Sequence, residues 1–131
     1  MKKSIGTAAL LGAMCFAFMP IAAAYAANWV YVDEATGNVV YYYDTDTLQR
    51  SGDEVTVWEK ADHSRDATEK FRSKTILSRY FCSRRTYVTI SMIIYYPNGT
   101  NESFSWAPYE QKESFIAPGT IAESLLEEVC R

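Results

Sequence analysis

Residues 82–96 read CSRRTYVTISMIIYY, and the architecture follows from them. The stretch opens on a cysteine, passes the basic pair Arg84 and Arg85, and enters the longest β-like segment of the chain. Val88, Ile90, Met92 and Ile94 recur at every second residue and alternate with Thr89, Ser91 and Tyr95. Side chains two residues apart share one face of a strand, so the spacing predicts a strand whose four apolar residues enter a core.

Its neighbours read the same way. Phe71 to Cys82 carries Ile76, Leu77, Tyr80 and Phe81 and predicts the preceding strand, joined by a bend at Ser83-Arg84-Arg85. Pro97-Asn98-Gly99 is a hairpin turn signal, and Thr100 to Trp106 is the strand after it. Nearer the N-terminus, Asn28 to Asp33, Val39 to Asp44 and Val55 to Asp62 each alternate, and turn residues around Gly37 and Gly52 separate them. Pro108 to Ala117 reads as a loop. Thr120 and Glu123 then form a capping box that opens a helix over Ile121 to Cys130. Ile121, Leu125 and Val129 fall on one face of that helix, beside Leu126 and Cys130. The expected fold is α+β: a single antiparallel sheet of about six strands with a C-terminal helix packed on it.

Lys2 and Lys3 precede an almost wholly apolar run, Ile5 to Ala24, and Ala24-Tyr25-Ala26 matches a small-x-small cleavage signal. This predicts a secretory signal peptide over residues 1–26, one domain over residues 27–131, and no transmembrane segment once the leader is cut. A lipobox needs an aliphatic residue three before its cysteine and a small one directly before it. Those places before Cys15 hold Gly12 and Met14, so Cys15 reads as part of the apolar run. Of the three cysteines only Cys82 and Cys130 then remain, in a chain bound for an oxidising compartment, and a disulfide between them is the natural reading.

Thirteen Lys and Arg face 16 Asp and Glu, and Lys2 and Lys3 leave with the leader. That acidic balance argues against a nucleic-acid binder, whose footprint is a strongly basic face. Asp44-Thr45-Asp46-Thr47 lacks the remaining ligands of a calcium loop and reads as a turn capped by short polar side chains. His63, the sole histidine, lies in the polar run His63 to Lys70 and reads as a solvated loop side chain. One histidine and two bridged cysteines make no zinc site. Neither a nucleophile elbow nor a glycine-rich phosphate loop occurs, so no catalytic residue, metal or cofactor is assigned and the chain reads as a non-enzyme. Tyrosine is the surplus: ten are present, including Tyr41-Tyr42-Tyr43 and Tyr95-Tyr96. Consecutive residues of a strand point to opposite faces, so some of these rings face outward, where tyrosine gives contact area at low entropic cost. Tyr41, Tyr43, Tyr87 and Tyr95, with Arg84 and Arg85, are the candidate partner-binding residues.

The order of landmarks resembles the surface-adhesin protein E family of Gram-negative envelope domains. The matching features are Trp29, Tyr42-Tyr43-Asp44 with Thr47, and Gly52-x-x-Val55-x-Val57-Trp58. Cys82 with Arg84-Arg85, Trp106, Pro118-Gly119-Thr120-x-x-Glu123-x-Leu125 and Cys130 follow. The likeness covers nearly all of residues 27–131. It implies a curved antiparallel sheet, a C-terminal helix and a disulfide, in an envelope protein of the periplasm, outer membrane or cell surface. It further implies adhesion to host matrix proteins such as vitronectin and laminin, and links to haem and to homodimerisation. The chain departs from the lipid-anchored pattern at Cys15. The alternative to a matrix-binding adhesin is therefore a periplasmic domain that binds an envelope protein or inhibits an enzyme.

Overall fold

The computed structural model describes residues 27–131, so the leader and Cys15 lie outside the described residues. Eight strands form one antiparallel sheet: β1 (Trp29–Ala35), β2 (Val39–Asp44), β3 (Gln49–Ser51), β4 (Glu54–Asp62), β5 (Ser73–Phe81), β6 (Thr86–Tyr95), β7 (Asn101–Ser105) and β8 (Ser114–Phe115). Among the described residues one α-helix, α1 (Ile121–Val129), follows the strands. The order across the sheet is β1-β2-β4-β5-β6-β7, a curved half-barrel of six strands. The fold class expected from the sequence is the one observed.

The two short strands were not legible, and each completes a broken neighbour. β2 pairs with the far end of β4, from Glu59 to Asp62, while β3 pairs with its start, from Glu54 to Thr56. One edge of β4 is thus covered in two pieces, joined by the turn at Asp44–Thr47. β6 repeats the arrangement, with β7 along Ser91–Tyr95 and β8 against Thr86 and Tyr87. The segment expected to be a plain loop from Pro108 to Ala117 therefore contains β8, and also a 3-10 turn at Pro108–Glu110. Phe71 and Arg72 precede β5 rather than starting it.

The reading of the central strand needs one correction. Val88, Ile90, Met92 and Ile94 do not share a face. Ser78 pairs with Thr89 but Leu77 pairs with Ser91, so Ile90 is an extra residue in a β-bulge. A bulge reverses the alternation beyond it and bends the strand. Met92 and Ile94 face the helix side, whereas Val88 lies opposite, buried but outside the core cluster. A second bulge, at Val32 in β1, adds curvature at the other edge.

The core lies between the sheet and α1. Val55, Val57 and Tyr80 meet Ile116, Leu125, Leu126 and Val129, and all seven are buried. An isolated helix of nine residues is marginal in water, so α1 depends on what holds its ends. At its N-terminus the Thr120 side chain accepts from the Glu123 N–H, and the Glu123 carboxylate accepts from the Gly119 N–H. The expected capping box is present, with its return bond one residue upstream. Ser124 Oγ donates to Asp33 of β1 at 3.0 Å, tying α1 to the sheet edge. At the C-terminus a disulfide joins Cys130 to Cys82, just past the end of β5. Arg50 of β3 adds a second clasp: its guanidinium donates to the carbonyls of Val129 at 2.7 Å and Arg131 at 2.8 Å. The Val129 carbonyl is one that a helix leaves without a partner, and a cation there also complements the helix dipole. Arg50→Ala is expected to lose about 1 kcal/mol of stability, read by urea denaturation, because two charge-assisted bonds are removed, one of them part-buried. Among the described residues no helix is long and apolar enough to cross a membrane.

Candidate functional site

The register sorts every strand residue onto one of two faces. Val55, Val57, Glu59 and Ala61 of β4 look toward α1, and Thr56, Trp58 and Lys60 look away. Pairing carries that division across the sheet. One row on the outer face runs Tyr31, Tyr42, Lys60, Thr75, Ile93 and Ser103, one residue from each of six strands. Trp29, paired with Asp44, and Trp58, paired with Leu77, flank this row. Tyr31 and Ser103 at its ends are exposed, and the four residues between them are half-buried.

A groove of about 230 Å³ is sunk into that face. Trp29, Trp58 and Tyr95 are its aromatic walls, and Thr75 and Ile93 lie between them. The Lys60 ammonium stands 5.8 Å from the ring centres of both Trp29 and Tyr42, a cation–π geometry. Tyr31 meets Tyr42 edge to face with centroids 6.3 Å apart. The start of the chain is fixed beside the groove by Asp44. Its carboxylate accepts from the Asn28 N–H at 2.8 Å, from the Asp46 N–H and from the Thr47 hydroxyl. Burial works against the charge on Asp44, but these bonds outweigh it and hold the carboxyl below its ordinary range. The Asp44–Thr47 segment is thus a turn capped by its own short side chains.

The structure separates the six candidate residues read from the sequence. Tyr95 lies on the outer face, 37% exposed, and lines the groove. Tyr41 and Tyr43 point to the helix side, paired with Ala61 and Glu59, and Tyr43 packs on the core cluster. Tyr87 is on that side too, stacked on Tyr80 at 5.9 Å. Arg84 is ion-paired with Glu113 at 2.9 Å and lies over the Phe81 ring, and Arg85 is ion-paired with Glu123 at 2.8 Å. Trp29, Tyr42, Trp58 and Lys60 were missed. The signal for them was present: in Val55-Thr56-Val57-Trp58-Glu59-Lys60 the tryptophan shares its parity with Thr56 and Lys60, the polar side of the strand.

His63 departs from the solvated side chain expected of it. It is buried, with Nδ1 3.2 Å from Asp66 and its ring edge to face with Phe71, and its Nε2 has no hydrogen-bond partner. Phe71 gains a ring contact by folding the polar loop back, and the histidine is enclosed with it. Among the described residues no three His, Cys, Asp or Glu side chains converge in a way that could hold a metal ion.

On the helix side, Glu59 is the exception in an apolar row of Val30, Tyr43, Ile76, Met92 and Phe104. The Tyr80 hydroxyl donates to it. Burial pushes its carboxyl up to about 7, although the hydroxyls of Tyr80 and Ser78 pull the other way. Burial, and then the Glu59 charge, raise the Tyr41 phenol in turn.

Comparison with known proteins places these features. No curated protein sequence matches the chain. Crystal form II of Haemophilus influenzae protein E is similar in structure, with a TM-score of 0.55 and 12% identity, over 76% of this chain and 86% of that one. Protein E of non-typeable Haemophilus influenzae is similar with a TM-score of 0.51 and 14% identity, over 79% of this chain and 84% of that one. These likenesses show the fold. The sequence model of the family described as surface-adhesin protein E matches residues 29–131.

Proposed function

Because the chain belongs to the surface-adhesin protein E family, we propose that it is a non-enzymatic exported adhesin that holds a host matrix protein against the outer face of its sheet. The observation that carries this reading is the groove walled by Trp29, Trp58 and Tyr95, beside the row from Tyr31 to Ser103 on the outer face. Half-exposed tryptophan and tyrosine on a rigid sheet supply large contact area with little ordering on binding, which is how residues that dominate protein interfaces behave. The groove offers aromatic rings, hydroxyls and a cation, groups suited to recognition.

Tyr95→Ala removes an exposed ring from the groove and should weaken binding to an immobilised matrix protein by about tenfold or more, the usual mark of a central contact. Its melting temperature should stay that of the parent, because the ring supports nothing in the core. The location is tested separately by labelling intact cells with a membrane-impermeant reagent. A protein never labelled from outside cannot meet host matrix. That result would favour a second reading, a periplasmic partner-binding or inhibitor domain, to which the poor lipobox at Cys15 already points.

A further inference from the structure

The groove is not uniformly apolar along its length. Tyr95 is shared with an adjoining recess on the same face, lined by Lys60, Arg72, Ser73 and Thr100. Neither cation there makes an ion pair, although Lys60 also stands over the Trp29 and Tyr42 rings. Arg65, Arg79, Arg84, Arg85 and Arg131 each pair with a glutamate, and Arg50 is bound to carbonyl oxygens. Among the described residues Arg72 forms no ion pair, and neither does Lys60. Asp62, close enough to feel both charges, spends a carboxylate oxygen on the Ser64 N–H at 2.9 Å. Two cations thus face one carboxylate at the end of an aromatic trough, and Arg72 is the one arginine among the described residues without a bonded partner, an imbalance that an anionic ligand would complete.

We propose that the groove binds an acidic sugar of a glycan chain, with pyranose rings against Trp29, Trp58 and Tyr95 and a carboxylate toward Lys60 and Arg72. This deepens the reading of the outer face as the partner-binding surface and rests on it. The shape selects the ligand. An acyl chain needs an enclosed apolar tunnel, and this trough is open along one side. A peptide strand would add to a sheet edge, where backbone groups are free, rather than lie across a face whose backbone is fully paired. A pyranose has apolar C–H faces that fit aromatic rings and hydroxyl edges that fit Thr75, Ser73 and Thr100. Its carboxylate supplies the missing charge.

The test titrates the exported protein with hyaluronan hexasaccharide, a carboxylated glycan, and follows tryptophan emission. The neutral chitin hexasaccharide and hexaglutamate are the comparison probes. Saturable quenching by the hyaluronan fragment is expected, weakened by added salt. Chitin should bind about tenfold more weakly, as should hyaluronan to Lys60→Gln with Arg72→Gln, since a charge-assisted contact is worth that much. Both substitutions lie at the rim and leave the core untouched, so an unchanged melting curve separates lost binding from lost folding. The proposal is overturned if hyaluronan gives no saturable change, if the neutral sugar binds equally, or if the double variant binds as the parent does. Equal binding of hexaglutamate would also overturn it, assigning the groove to acidic protein instead. A matrix protein stripped of its glycans yet bound as before would refute the sugar while leaving the adhesin reading intact.

Discussion

Cys82→Ser with Cys130→Ser is expected to lower the stability of the folded protein by about 4 kcal/mol, from the chain-entropy value of a cross-link spanning 48 residues. That is comparable with the whole margin of a small domain. The loss should exceed the entropic figure in its structural effect, because the bond is not placed at random. It fixes the C-terminal end of a helix too short to stand alone, and that helix supplies Leu125, Leu126 and Val129 to the core. Urea denaturation of parent and variant under oxidising conditions measures it. Reductant should bring the parent down to the variant and leave the variant where it is. Coincident midpoints for the two proteins without reductant would show that the bond contributes nothing and that packing alone holds α1.

The second large effect concerns Glu59, and its direction is unusual. Burial raises the carboxyl from its ordinary 4.5 to about 7 in the folded chain. Between those values the folded protein holds a proton that the unfolded chain has released. The contribution of this group to stability is therefore complete below about pH 4.5 and is lost as the pH rises through 7. The full loss is about 3 kcal/mol, at 1.36 kcal/mol for each unit of displacement. Asp44 acts in the opposite sense. Its carboxyl is held below the ordinary 3.8 and supports the fold above that value, failing as the pH drops further. Stability should accordingly peak in mild acid, below the usual range of pH 5 to 8. Glu59→Gln keeps an oxygen for the Tyr80 hydroxyl and removes the charge. It should stabilise the protein at pH 8 by up to about 3 kcal/mol and flatten the decline between pH 5 and 8. Thermal melts of both proteins across that range decide the matter, and parallel curves would mean that Glu59 does not titrate there.

The fold was legible because its signals are local. Alternation in β1, β2 and β4, the Asn98-Gly99 turn, the Thr120 cap and the two cysteines each act within a few residues, or across one covalent bond. What was hidden depends on pairing. Nothing in Gln49-Arg50-Ser51 or Ser114-Phe115 marks a strand, since each is ordered by a partner already in place. Ile90 reads as the next beat of an apolar rhythm, and only the register with Leu77 and Ser78 shows that the beat is skipped. The face of a tyrosine follows from the same register. Composition cannot say which parity meets the helix, so nothing local separates Tyr42 from Tyr41 and Tyr43. His63 was hidden for another reason: its enclosure is made by Phe71, across a loop that looks wholly polar up to that residue.

The order of the elements, with α1 after every strand, also bears on synthesis and membrane passage. A polypeptide that crosses a membrane with its N-terminus leading would deliver β1 through β7 before Leu125, Leu126 and Val129 emerge. Until then Val55, Val57 and Tyr80 have no lid, and the Cys82 thiol must wait for its mate. During that interval the nascent sheet would present a sticky surface and a reactive sulfur to folding catalysts and to other copies of itself. Premature termination within the final turns would leave a molecule with every long strand but no cover, one for quality-control proteases to clear.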